Sequence, residues 1–249
     1  MAGHSKFKNI MHRKGAQDKK RAKLFSRLIR EISVASKIGG EDPDANPRLR
    51  SAINNALSSN MSKDNIQKAI KKNSANSETD QILEIIYEGF GPCGVAVIVE
   101  SLTDNKNRSA SEVRSTFSKY NGNLGINGCV KHNFNKIGTI SYPKIIDSFD
   151  NFFEFSASLN VKDILENQDF YEVITDPEVF HDVISRLEKK YSYPKFSSIE
   201  WRPVSLIDVE NEEDAKRLIT LLEKLEDLDD VQNVISNFNI AEEIMDKLI

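Results

Sequence analysis

The chain has 249 residues, of which 39% are hydrophobic and 29% charged, with a formal net charge of −4. That length suits two or three domains, and that composition suits folded cores rather than a disordered chain. The longest clean apolar run, Gly94–Val99, is far too short to span a bilayer, so no membrane partner is expected.

The charge is split along the chain. Residues 1–72 hold 17 Lys+Arg against 6 Asp+Glu, a net of +11, while residues 73–249 hold 17 against 32, a net of −15. Within the first 30 residues Lys6, Lys8, Arg13, Lys14, Lys19, Lys20, Arg21, Lys23, Arg27 and Arg30 are opposed only by Asp18. A basic head of this density points to a polyanion, because each neutralised phosphate releases condensed counterions. The plainer alternative is a solvated basic face. No apolar h-region follows the basic start, which argues against a secretory signal. The absence of an obvious cleavage region favours a mature N-terminus over a transit peptide. Cys93 and Cys129 are 36 residues apart, which is neither a disulfide framework nor a zinc spacing. They read as reduced thiols of a cytoplasmic protein.

In chain order, residues 17–38 read as a long amphipathic helix. Leu24, Phe25, Leu28, Ile29, Ile32 and Ala35 recur at helical spacing, with Lys19, Lys20, Lys23, Arg27 and Arg30 on the opposite side. Gly39-Gly40 ends it. Asn46-Pro47 looks like an N-cap followed by proline at the first helical position, opening a helix with Leu49, Ile53 and Leu57 inward. Ser62 caps a third helix carrying Ile66, Ala69 and Ile70. Residues 73–80 have linker composition. A loosely alternating segment over 83–90, a turn at 91–94 and a Val-rich strand over 94–102 follow. Next come a helix over 108–120 with Val113 and Phe117 inward, and paired strands at 129–134 and 138–142. Further on are a helix at about 145–158, a strand at 170–175, a helix at 177–190 and a strand at 197–204. An acidic amphipathic helix over 211–226 has Ala215, Leu218, Ile219, Leu222 and Leu225 on one side. A strand at 231–238 and a helical C-terminus complete the pattern. Short strands mixed with helices argue for α+β layers.

Few residues suggest chemistry. His4 and His12 have no Cys nearby and one carboxylate, so nucleic-acid or structural roles outweigh a metal. Asp227, Asp229 and Asp230 after Glu226 could hold Mg²⁺ for nuclease chemistry, but the reading adopted is a solvated loop. In Thr103–Arg108, helix capping outweighs phosphate contact by Arg108. Among the nucleotide, zinc-protease and serine-hydrolase fingerprints, none stands in a supporting context. No enzyme, cofactor or metal is therefore expected. Gly3-His4-Ser5-Lys6-Phe7 reads as a basic arm whose aromatic ring could stack on a base, or as a frayed terminus.

Several blocks together resemble the YebC-type family of transcriptional regulatory proteins, with mitochondrial relatives that are translational activators. These are Met1–Ile10 with Lys14, Asp18, Arg21, Lys23 and Phe25; Asn60–Ile66; Tyr87–Gly94; Leu102–Asn105; Asn123–Gly125; and Leu225–Val234. The resemblance runs over essentially the whole chain. It implies an α+β multidomain fold: an N-terminal three-helix domain at 1–78, an α+β domain at 79–135 plus 206–249, and a ferredoxin-like α+β domain at 136–205 inserted into it. Phe7 stands where the family usually has Trp, Ser62 where Pro is common, and Cys93 where Gly is common.

The function expected is a cytoplasmic, nucleic-acid-binding transcriptional regulatory protein, with a monomer favoured and no oligomeric state fixed by the sequence. Lys6, Phe7, Lys8, Arg13, Lys14, Lys20, Lys23, Arg27 and Arg30 are the candidate contacts to DNA. The alternative is a ribosome-associated translation factor, with the same residues on ribosomal RNA and the acidic α+β body against ribosomal proteins. The absence of a convincing recognition helix favours backbone or shape reading over fine sequence specificity.

Overall fold

The computed structural model describes residues 17–71 and 82–248. Within them the chain groups into two compact units, one drawn from residues 82–135 and 202–248, the other from 22–71 and 136–201.

The helical part of the second unit comprises α1 (Gln17–Gly39), α2 (Pro47–Ser58) and α3 (Lys63–Lys71). Ile32, Ala35, Leu49, Ala52, Ala56, Met61, Ile66, Ala69 and Ile70 form its buried core. Asn46 ties the first two helices together. Its Oδ1 accepts from Leu49 N at 3.1 Å as an N-cap, while its Nδ2 donates to Ala35 O at 2.7 Å and Gly40 O at 2.8 Å. One buried amide thus satisfies orphan groups at the end of α1 and the start of α2. Ser33 and Ser36 donate to Ala69 O (3.0 Å) and Ile70 O (3.3 Å), closing α3 onto α1. Ser62 Oγ accepts from Asn65 N at 3.3 Å and caps α3. Leu24 and Leu57 depart from expectation, at 41% and 39% exposed. The core closes on the more central Phe25, Leu28 and Ile29 stripe, so these two sit at its margin.

In the first unit, β1 (Leu83–Phe90), β2 (Ala96–Thr103), α4 (Lys106–Lys119) and β3 (Asn123–Leu124) come from the first segment. The second segment supplies β8 (Ile207–Val209), α7 (Glu212–Glu226), β9 (Val231–Ser236), β10 (Phe238–Ile240) and α8 (Glu242–Leu248). The main sheet runs β3-β1-β2-β9 and is antiparallel throughout, with Tyr87 opposite Val99 and Val97 opposite Ser236. Val95, Val97, Val99, Val113, Phe117, Leu218, Leu221, Leu222 and Leu225 pack between sheet and helices. Asn237, almost wholly buried, accepts from Ala96 N at 2.8 Å and donates to Ser205 O at 3.2 Å, joining the two segments.

The intervening segment adds β4 (Phe134–Pro143), α5 (Phe149–Ala157), β5 (Asp163–Glu166), β6 (Phe170–Thr175), α6 (Phe180–Tyr191) and β7 (Phe196–Pro203). The β-α-β-β-α-β order with sheet order β5-β6-β4-β7 is the ferredoxin-like arrangement. Its core is strongly aromatic, with Tyr142, Phe152, Tyr171, Phe180 and Tyr191 buried together. This part joins the helical part through Asn55, whose amide donates to Ser197 O at 3.0 Å and accepts from Ser197 N at 3.3 Å. Arg50 meets Ser185 Oγ at 3.4 Å and Glu188 at 3.8 Å.

Two local expectations change. Residues 129–133 do not form a strand paired with 138–142; a loop and a short 3-10 turn at Lys131–Asn133 lead into the single strand β4. A further strand, β5, precedes β6 and pairs with it antiparallel.

Candidate nucleic-acid interface

The helical arc of α1 separates its core stripe from Lys23, Arg27 and Arg30. At about 100° per residue these three fall roughly opposite Phe25, Leu28, Ile29 and Ile32. All three are half-buried rather than fully solvated, and each is engaged in polar or ring contacts. Lys20 lies on the described backbone of α1, but its side chain is outside the described atoms. Lys6, Phe7, Lys8, Arg13 and Lys14, the arm at residues 3–7, both early histidines and the segment 73–80 lie outside the described residues.

Of the carboxylates weighed as a metal candidate, Asp227 and Asp229 are exposed, as a solvated loop requires, while Asp230 takes a different role. Asp230 is buried, not part of a solvated loop: its Oδ2 accepts from Thr103 Oγ1 at 2.8 Å and from Arg108 Nη2 at 3.0 Å. Arg108 also reaches Asp104 at 2.7 Å. A carboxylate committed to two donors inside the fold fixes the β2–α4 corner. Asn105 Oδ1 caps α4 through Arg108 N at 3.1 Å, as the sequence suggested. Among the described residues no group of three His, Cys, Asp or Glu is placed to hold a metal.

Sequence reasoning does not single out Glu88, although it is the one charged residue in the stretch Ile85–Phe90. Its side chain is fully buried. Oε1 accepts from Gly128 N at 2.8 Å, and Oε2 from Val130 N at 3.0 Å and Lys131 N at 3.1 Å. Burial alone would raise its pKa; the three backbone donors and the Lys131 ammonium overcome that and hold it below the usual carboxylate range. These same bonds explain why 129–133 is not a strand: the carboxylate takes the backbone donors a neighbouring strand would use.

Cys93, in the turn between β1 and β2, adopts φ of 58°. A left-handed position explains why glycine is common there in the resembling family. Cys93 is exposed, but partial desolvation and then Asp214 push its thiol pKa up, which disfavours the reactive thiolate.

A basic helical part, a four-stranded α+β unit and an inserted ferredoxin-like segment define a class of multidomain protein with no recognised catalytic constellation among the described residues. A family model described as "TACO1/YebC protein N-terminal domain" matches residues 5–76, and one described as "TACO1/YebC second and third domain" matches residues 82–238. The chain belongs to the TACO1/YebC family. It is 47% identical over 249 residues to "Probable transcriptional regulatory protein GM21_0933" of Geobacter sp. (strain M21), covering 100% of both chains. It is 49% identical over 245 residues to "Probable transcriptional regulatory protein RT0442" of Rickettsia typhi, covering 98% of this chain and 97% of the relative. The crystal structure of a conserved hypothetical protein, Aq1575, from Aquifex aeolicus is similar with a TM-score of 0.79 at 45% identity, over 91% of this chain and 93% of the other. Among the described residues no helix is long and apolar enough to cross a membrane.

Proposed function

We propose that the protein is a cytoplasmic, monomeric, non-enzymatic transcriptional regulatory protein that binds DNA through its basic N-terminal part. In this reading Lys6, Lys8, Arg13, Lys14, Lys20, Lys23, Arg27 and Arg30 hold phosphates and Phe7 stacks on a base. The domains divide at 1–78, 79–135 with 206–249, and 136–205. The observation that carries the reading is the net +11 of residues 1–72 in a chain of net −4, with the α1 cations opposite its core stripe. The relatives' names support the regulatory role.

A second reading, a ribosome-associated translation factor, is favoured by the net −15 of residues 73–249. An acidic body is repelled by a bare duplex but suits a surface of mixed RNA and basic protein. Crosslinking in growing cells, followed by sequencing of bound DNA and RNA, separates the two: discrete promoter segments support the first, and a few ribosomal RNA positions support the second. Lys23→Glu with Arg27→Glu is expected to abolish polyanion binding at physiological salt with the helical circular dichroism intact. Retained binding would remove the α1 face from the interface.

A further inference from the structure

The described surface of the acidic remainder contains one region that its net charge hides. Residues 113–135 hold Arg114, Lys119, Lys131 and His132 and no Asp or Glu, although residues 73–249 carry 32 acids. The same stretch carries five asparagines, Asn121, Asn123, Asn127, Asn133 and Asn135. Arg114, Lys119, Asn121, Asn123, Ile126, Asn127, Gly128, His132 and Asn135 are all exposed, with Ile126 at 81%.

The loop is held in one shape from within. The backbone carbonyl of Glu88 accepts from Gly125 N at 2.8 Å, and its carboxylate takes the N–H groups of Gly128, Val130 and Lys131. Cys129 N donates to Ile126 O at 3.2 Å, and Lys131 Nζ donates to Asn127 Oδ1 at 3.2 Å, cross-bracing the tip. Gly128 stands at φ of +88°, and a Cβ at Gly125 would collide with Cys129 Sγ. A buried ionised carboxylate is costly unless its partners are all in place. Here the partners are the backbone of a loop whose outer surface is left open. An exposed apolar side chain on a braced loop loses little further entropy on binding.

We infer that the 121–135 loop of the α+β unit is a second nucleic-acid contact, separate from the N-terminal basic part. It would seat an unpaired or locally opened strand against Ile126 and the exposed asparagines. The inference rests on the nucleic-acid reading above. Asparagine amides pair as donor and acceptor with base edges. Glycines let a strand approach the backbone, and an isoleucine can wedge between bases. Residues 113–135 themselves carry no carboxylate to repel phosphates.

The test is fluorescence anisotropy of the full chain with a labelled mixed-sequence single-stranded RNA and a labelled DNA duplex, over a range of salt. Ile126→Ala is expected to weaken binding of the single strand about fivefold or more with the salt slope unchanged, since a wedge carries no charge. Asn127→Asp with His132→Asp is expected to weaken it at least as much, by repulsion. Melting temperatures of both variants should stay near that of the parent, because the altered side chains are exposed. Loss on the duplex but not the single strand would overturn the unpaired-strand assignment. Both variants binding like the parent, while the parent binds well, overturns the inference alone. A parent that binds neither probe overturns the nucleic-acid reading itself.

Discussion

The two four-stranded sheets solve burial in opposite ways. The ferredoxin-like sheet closes over a neutral core of interlocking rings: Phe152 lies 5.0 Å from Tyr171, 5.3 Å from Tyr191 and 5.8 Å from Tyr142 by ring centroid. The β3-β1-β2-β9 sheet packs a mainly aliphatic core and also buries two carboxylates, Glu88 and Asp230. Neither carboxylate strengthens the core itself; each fixes a piece of chain beside it, the 121–135 loop and the β2–α4 corner. The aromatic core is organised by shape, and the charged groups organise the surface.

Removing Phe152 is expected to have the largest effect. Phe152→Ala empties a fully buried site touching three rings and should cost about 3–5 kcal/mol, read by urea denaturation with a probe in the inserted segment. A loss comparable to that of an exposed residue would mean that the rings do not hold this core together. Glu88→Gln comes next, at about 2–4 kcal/mol, since a neutral amide accepts fewer of the three N–H groups and turns an N–H₂ toward them. Its pH dependence sharpens the contrast. A carboxyl held below its unfolded pKa contributes stability that is full above about pH 4.3 and is lost as pH falls through the folded value. The gap between parent and Glu88→Gln should therefore narrow in acid. A gap independent of pH would show that the ionised form is not what holds the loop.

Asp230→Ala should cost about 1–3 kcal/mol, less than Glu88→Gln, because Arg108 is half-exposed and water can replace part of what it loses. The smallest expected effect is a gain. Cys93→Gly relieves an L-residue at φ of 58°, worth about 1–2 kcal/mol, against about 0.5–1 kcal/mol of added unfolded-state entropy. A rise in melting temperature of a few degrees or less is expected; a fall would assign the Cys93 side chain a packing role that outweighs its strain.

Much of this architecture was readable where signals are local. Asn46-Pro47 announced α2, and α7 was visible in the spacing of Ala215, Leu218, Leu222 and Leu225, all buried. β5 was missed because Asp163–Glu166 offers one buried residue, Ile164, and four residues are too few to display a period. The strand expected at 129–134 failed for a non-local reason: Glu88, about 40 residues earlier, captures its backbone donors. Asp230 was misread as solvated for the same kind of reason, because its partners Thr103 and Arg108 lie more than 120 residues away. In the candidate interface, the angular placement of Lys23, Arg27 and Arg30 followed from helix geometry. Their half-burial depends on packing that α1 alone does not encode.

The pairing of β2 with β9 has a consequence for how the chain is made. Val97 meets Ser236 and Val99 meets Val234 across an insertion that contains its own sheet. During synthesis from the N-terminus, the ferredoxin-like segment has all its strands once residue 203 has emerged. β2 still lacks its neighbour then, and α7 has yet to cover the valines. Until then one edge of β2 is an open template for unwanted strand pairing. The order of the segments therefore makes the β3-β1-β2-β9 unit, begun before the inserted segment, the last completed, and places its greatest aggregation hazard in the interval when the inserted segment is already folded.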